Sequence, residues 1–205
     1  MPNLLIIILW SFQISACIAA ILSWHRYKKT KQRLFLFFLI YVIITEASGY
    51  ILSYYRPNFP VYNVFTIVSG FFYLFWFRSI LNQKKVITIF IVLFFGSIIT
   101  SFLLEDFFES LWGISLILLA FLILCCVTLY FSKLLNSSTV IEFQKEQQFW
   151  ICTGLLIFYL GFMPLLLFQD SYFKLVISDY LFAIMTLNSI MYGFFTISFL
   201  CLKEK

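Results

Sequence analysis

The sequence predicts an all-α, polytopic membrane protein of seven transmembrane helices, N-terminus outside and C-terminus inside, built as a single domain over residues 1–205. Three observations carry this. First, 63% of the residues are hydrophobic and only 11% charged, with a mean hydropathy of +1.01, whereas a soluble domain has about a quarter of its residues charged. Second, the charges gather into short islands between apolar runs of about 20 residues, the helical length that crosses a hydrocarbon core of about 30 Å. Third, Lys and Arg are dense in every other connection and sparse in the rest. Soluble enzymes and nucleic-acid binders are excluded. The net charge of +5 implies attraction to anionic lipid headgroups.

The runs are residues 4–24, 34–55, 61–81, 86–104, 111–131, 149–168 and about 178–202. They are continuous rather than alternating, which rules out a transmembrane β-barrel. The first has no basic residues before it and exceeds the 7–15 residues of a signal-peptide core. Its basic cluster follows it, as in an N-out anchor. The second contains Glu46, the one acid deep inside a run. In the third, Asn63, Thr66, Ser69 and Tyr73 recur at three-to-four spacing, a polar stripe expected to face the bundle interior. The fifth holds Cys125 and Cys126. With Cys17, Cys152 and Cys201 also inside runs, no loop disulfide framework is expected, and the thiols read as small packing hydrophobes. The sixth contains Gly154, Gly161 and Pro164, which removes a backbone bond near Leu160 and is read as a kink or hinge. The seventh carries Asn188 and, one turn on, Tyr192. Trp24, Trp76, Trp112 and Trp150 fall near run ends, where they read as interfacial anchors.

Orientation follows from the basic residues. Arg26, Lys28, Lys29, Lys31 and Arg33, then Arg78, Lys84 and Lys85, then Lys133 and Lys145, and finally Lys203 and Lys205 share one side, leaving only Arg56 and Lys174 on the other. The outer connections are short. The longest inner connection, residues 132–148, has Thr139 and Glu142 at capping-box spacing ahead of Phe143, Lys145 and Glu146, so a helix extension is expected there. That extension is either a solvated face or, with Lys28, Lys29 and Lys31, a docking surface for a cytosolic protein.

Glu46 lies about 18 Å from the inner end of its run at 1.5 Å per residue, near the bilayer middle, where an ionised carboxylate costs at least about 2.5 to 3.5 kcal/mol. It is therefore expected to be protonated or hydrogen-bonded between helices, with Asn188 and Tyr192 as partners. Glu46, Asn63, Tyr73, Asn188 and Tyr192 form the candidate ligand or proton site. The alternative is interhelical glue. His25 is the only histidine, and no cysteine pair has ligand spacing, so neither a metal site nor a cofactor is expected. The last run has no Lys for a retinal Schiff base. No nucleophile with an activating base, and no acid pair, marks an intramembrane hydrolase. Spans one to three and five to seven would share an orientation, as in sugar transporters of the SWEET type, but the Pro-Gln motif of that group is absent.

FWICTGLLIFYLGFMPLLL at residues 149–167, NSIMYGFF at 188–195 and YVIITEASGY around Glu46 resemble a group of small, uncharacterised seven-span bacterial membrane proteins. That resemblance implies the bacterial inner membrane as location and a sensor histidine kinase as cytosolic partner, and it implies no activity. The function expected is thus a non-enzymatic sensory or adaptor subunit, in which the bilayer or a small apolar ligand biases the bundle. A small-solute or proton-coupled transporter using Glu46 is the alternative. The sequence does not give the oligomeric state.

Overall fold

The computed structural model describes residues 2–136, 146–167 and 177–201, with the side chains of residues 2–5, 177 and 178 outside that description. Among the described residues every regular element is helical. The long helices are α1 (Pro2–Leu22), α2 (Leu34–Leu52), α3 (Phe59–Ile80), α4 (Lys84–Leu104), α5 (Gly113–Leu135), α6 (Gln147–Leu167) and α7 (Ile177–Leu200). Six of them, α2 to α7, are long and apolar enough to cross a membrane, while the described apolar stretch of α1, Ile6–Leu22, is shorter. Their apolar character on all sides is what a helix needs when it faces both lipid and protein.

The chain divides into two compact units, residues 1–39 with 127–205, and residues 40–126. In the first unit, α6 and α7 pack antiparallel. Gly154 and Gly161, seven residues apart, lie on one face of α6. A Cβ at Gly154 would come within 3.0 Å of the Phe194 Cβ and 3.2 Å of the Met191 carbonyl oxygen, and one at Gly161 within 2.7 Å of Leu187. As α6 advances its neighbours on α7 recede, and the glycines let the two backbones approach closely. Trp150 stacks on Phe194 one turn earlier, with centroids 5.9 Å apart.

Helix α1 packs on α7 in parallel. Phe12 faces Gly193, and Ser15 hydrogen-bonds Thr196 between hydroxyls at 3.1 Å, so the register advances equally on both helices. After α1 the chain turns through the one-turn helix Trp24–Tyr27 and the 3₁₀ turn Lys31–Arg33. Tyr27 fixes this connection. Its side chain is fully buried, its hydroxyl donates to the Ala20 carbonyl at 2.7 Å, and its ring meets Trp24 and Phe199. Thr30 caps the 3₁₀ turn, accepting from the Gln32 N–H while donating to the Tyr27 carbonyl.

In the second unit α2 and α3 form an antiparallel pair, with Tyr41 stacked on Phe65 and Glu46 opposite Tyr62. Pro60 in the first turn of α3 suits a position whose N–H has no helical acceptor. Gly70 of α3 is crossed by the fully buried ring of Phe94 from α4, which would overlap a Cβ there. The start of α5 is capped by side chains from α3, from α4 and from Glu105, the residue that follows α4. The Asn63 Oδ1 accepts from the Trp112 N–H, the Glu105 Oε1 from Ile114 and the Ser101 Oγ from Ser115, while the Gly113 N–H goes to the Leu111 carbonyl. These are the donors a helix N-terminus leaves without an intrahelical acceptor.

Two of the four tryptophans depart from the expected interfacial role. Trp76 and Trp112 are each 4% exposed. Trp112 sits between Phe102 and Phe107, and Trp76 packs on Phe77, so both rings face protein. Aromatic neighbours in a chain with 28 Phe compete with the headgroup region for an indole. Trp24 and Trp150 remain partly exposed.

Candidate functional site

Glu46 lies on the half-buried face of α2, six residues before the helix ends, or about 9 Å along it. Tyr62, in the first turns of α3, donates its hydroxyl to the Glu46 Oε2 at 3.3 Å. Gly49 makes this meeting possible. It stands one turn beyond Glu46 on the same face, and a Cβ there would lie 3.0 Å from the Tyr62 hydroxyl and 3.2 Å from its ring. A Cβ there would require the Tyr62 ring to give by a few tenths of an ångström, and a larger side chain by more. Asn58, just before α3, donates to the Gly49 carbonyl at 3.3 Å and ties the helix ends together.

Chemically, a phenol beside a carboxyl serves both protonation states. It donates to a carboxylate and accepts from a carboxylic acid, so the pair can take up or release a proton without losing its hydrogen bond. The same property serves a purely structural link.

The other expected site residues have the following surroundings. The stripe of Asn63, Thr66, Ser69 and Tyr73 is buried, as its spacing predicts. Its first three members have their polar side chains engaged, Asn63 far along the chain and the two hydroxyls locally. Besides accepting from Trp112, the Asn63 amide donates to the carbonyls of Phe107 and Ser110 at 3.0 and 2.9 Å, while Thr66 and Ser69 bond carbonyls of their own helix. The Tyr73 ring meets Phe72 edge-on. Asn188 and Tyr192 belong to the first unit, Glu46 to the second. The Asn188 amide donates to the Ile184 carbonyl of its own helix at 3.0 Å, and Tyr192 is buried edge-on to Phe195.

On the basic side, Arg26, Lys28, Lys29, Lys31 and Arg33 are all exposed on the connection that Tyr27 and Thr30 hold in place. Phe143 and Lys145 lie outside the described residues, as do Thr139 and Glu142. Pro164 is exposed, and α6 continues through it to Leu167. Cys17, Cys126 and Cys152 are buried free thiols. Among the described residues no three His, Cys, Asp or Glu side chains gather as a metal site would require.

Tyr62 and Tyr27 escaped the sequence reading, each being one of 12 tyrosines in an aromatic-rich chain. For Tyr62 a signal was present. Glu46 and Gly49 share a face one turn apart, and a small residue beside an acid within an apolar run admits a ring from the neighbouring helix. No known protein family, no curated protein and no solved structure matches the chain.

Proposed function

We propose that the chain is a seven-span membrane protein, N-out and C-in, residing in the bacterial inner membrane as a non-enzymatic sensory or adaptor subunit. A signal from the bilayer or from a small apolar ligand biases the helix packing, and a cytosolic histidine kinase reads the inner face. The observation that carries the docking role is the basic connection after α1. Its five exposed cations sit on a segment fixed by the buried Tyr27 and the Thr30 cap, and a rigid charged surface loses less entropy on docking than a loose loop. The seventh span is supported by the parallel packing of α1 on α7, the relation that the first and last of an odd number of spans must have. Orientation rests on the asymmetry of the basic residues.

A cytosol-active reporter fused at Lys205 and a periplasm-active reporter in the loop at residues 105–110 test the topology. Activity of the C-terminal reporter only when exported refutes it. Docking is tested by crosslinking in native membranes, with any kinase adduct identified by mass spectrometry. Reversing Lys28, Lys29 and Lys31 would be a poor control, since it could also invert the topology. Tyr27→Phe with Thr30→Ala keeps every cation and loosens the platform, so adduct formation should fall while the reporters stay unchanged. An absent adduct, or one that survives the double variant, removes the docking role.

The Glu46–Tyr62 pair favours a second reading, a small-solute or proton-coupled transporter in which this carboxyl carries the proton. In proteoliposomes, solute-driven proton flux that is lost in Glu46→Gln with folding intact would establish it. Flux unchanged in that variant would leave the pair as interhelical glue.

A further inference from the structure

Beside the contact between α1 and α7 lies a groove of about 350 Å³, lined by Ile8 and Phe12 of α1 and by Phe182, Met185, Ser189 and Gly193 of α7. We propose that this groove binds one acyl chain of an outer-leaflet lipid. The proposal rests on the seven-span reading above and gives its apolar signal a chemical class and a seat.

The first argument is polarity. The hydroxyls along the groove are engaged within α7, Thr186 with the Phe182 carbonyl and Ser189 with the Met185 carbonyl, both at 2.8 Å. With those protons turned away, the walls present hydrocarbon and nothing that would orient a polar ligand. The second is size. From Phe182 to Gly193 the groove follows α7 for about 16 Å, which is close to half of the about 30 Å hydrocarbon core, the depth of one leaflet. Its volume sits at the lower end of the roughly 300–1,000 Å³ of small-ligand pockets.

The third argument is shape. The groove begins about 8 Å from the outer end of α7 and stops about two-thirds of the way along the helix. There Gly193 brings the backbone toward the Phe12 ring, and the Ser15–Thr196 hydrogen bond joins the two helices one turn further in. It is a slot with a floor, open to the side. Ile8, Phe12, Phe182 and Ile190 remain 39% to 54% exposed along it, the surface a chain lying in the slot would cover.

The test uses the full chain in phosphatidylcholine vesicles doped with a phosphatidylcholine that carries a diazirine at mid-chain. After irradiation the adducts are mapped by peptide mass spectrometry. Labelling of the segments with Phe12, Met185 and Ser189 should exceed several-fold that of Val92 and Phe95, which are more than half exposed on α4. In Gly193→Leu, which fills the slot, it should fall to the α4 level. Equal labelling of α1, α4 and α7 in the unaltered chain overturns the proposal, with no variant required to fold. Labelling of α1 and α7 below that of α4, with the chain dimeric in the same vesicles, overturns it in favour of a second copy. Labelled α4 and α7 beside an unlabelled α1 refutes the seventh span itself, a failure distinct from that of the groove.

Discussion

Asn63 is the residue whose removal should do most damage for its size. It is 1% exposed and makes three hydrogen bonds to the backbone of the loop before α5, accepting from the Trp112 N–H at 2.9 Å and donating to the carbonyls of Phe107 and Ser110. In Asn63→Ala the Trp112 N–H becomes a buried donor without an acceptor, which costs about 1–3 kcal/mol. The two carbonyls belong to residues that keep some exposure, so water replaces the lost donors and each contributes about 0.5 kcal/mol. The sum is about 2–4 kcal/mol. Thr66→Ala is the control, because that hydroxyl, on a residue that is also buried, bonds only the Tyr62 carbonyl of its own helix and its loss should cost less than about 1 kcal/mol. Unfolding of both variants is followed in detergent by ellipticity and by modification of Cys126, a fully buried thiol that reacts once α5 opens. If Asn63→Ala unfolds together with Thr66→Ala, the loop does not depend on this amide and the reasoning fails.

Gly70→Ala should destabilise by about 1–3 kcal/mol, since its Cβ would overlap the buried Phe94 ring. Gly96→Ala, with nothing within 4 Å, should be neutral or slightly stabilising in the same melt. Gly154→Leu should separate α6 from α7, because the obstruction at 3.2 Å is the Met191 backbone oxygen. A cysteine crosslink between the two helices that still forms in that variant would contradict this. Burial, helped by the nearby Cys17 thiol, holds the Tyr27 hydroxyl above its ordinary pKa of 10.0. The folded state thus binds this proton more tightly than the unfolded state. The stability it confers is whole below about pH 10 and is lost as the pH rises further. Tyr27→Phe should therefore be less stable by about 0.5–1.5 kcal/mol at neutral pH, and the gap should narrow above pH 10. A gap constant to pH 11 would refute the assignment.

The helices were legible because lipid leaves the backbone few choices. Where apolar runs are ended by Arg, Lys or Pro, as at Arg33 before α2 and at Pro57 before α3 with Pro60 in its first turn, the observed ends fall close to the expected ones. Where they differ, long side chains explain it. Lys84 and Lys85 sit inside the first turn of α4, since a flexible stem carries the ammonium to the polar side while its backbone stays helical. Partners were far less legible. Spacing placed Asn63 on a buried stripe, yet its hydrogen bonds go to residues 44 to 49 positions away, a distance no periodicity encodes. For Glu46, spacing suggested Asn188 and Tyr192, while the described bond is to Tyr62 across the next turn of chain. Side-chain amides and carboxyls choose among every backbone group the fold brings near, and that choice is made in three dimensions.

The pairing of α1 with α7 sets a clock on assembly. Ser15 and Thr196 are 181 residues apart, and at about 5–20 residues per second the ribosome needs about 10 to 40 s to cover that interval. During that time α1 is without the helix it packs on most extensively. Its hydroxyls are provided for, because Ser11 and Ser15 donate to the carbonyls of Ile7 and Phe12 on their own helix. Gln13, 2% exposed in the folded chain, has a primary amide with more donors and acceptors than one neighbouring carbonyl can satisfy. In the folded chain its Nε2 has no hydrogen-bond acceptor among the described residues, so packing against α7 shelters this amide without satisfying it. Slowed translation of the last hundred residues, or a chain stopped before α7, prolongs the time for which α1 lacks the helix that carries the Ser15–Thr196 contact.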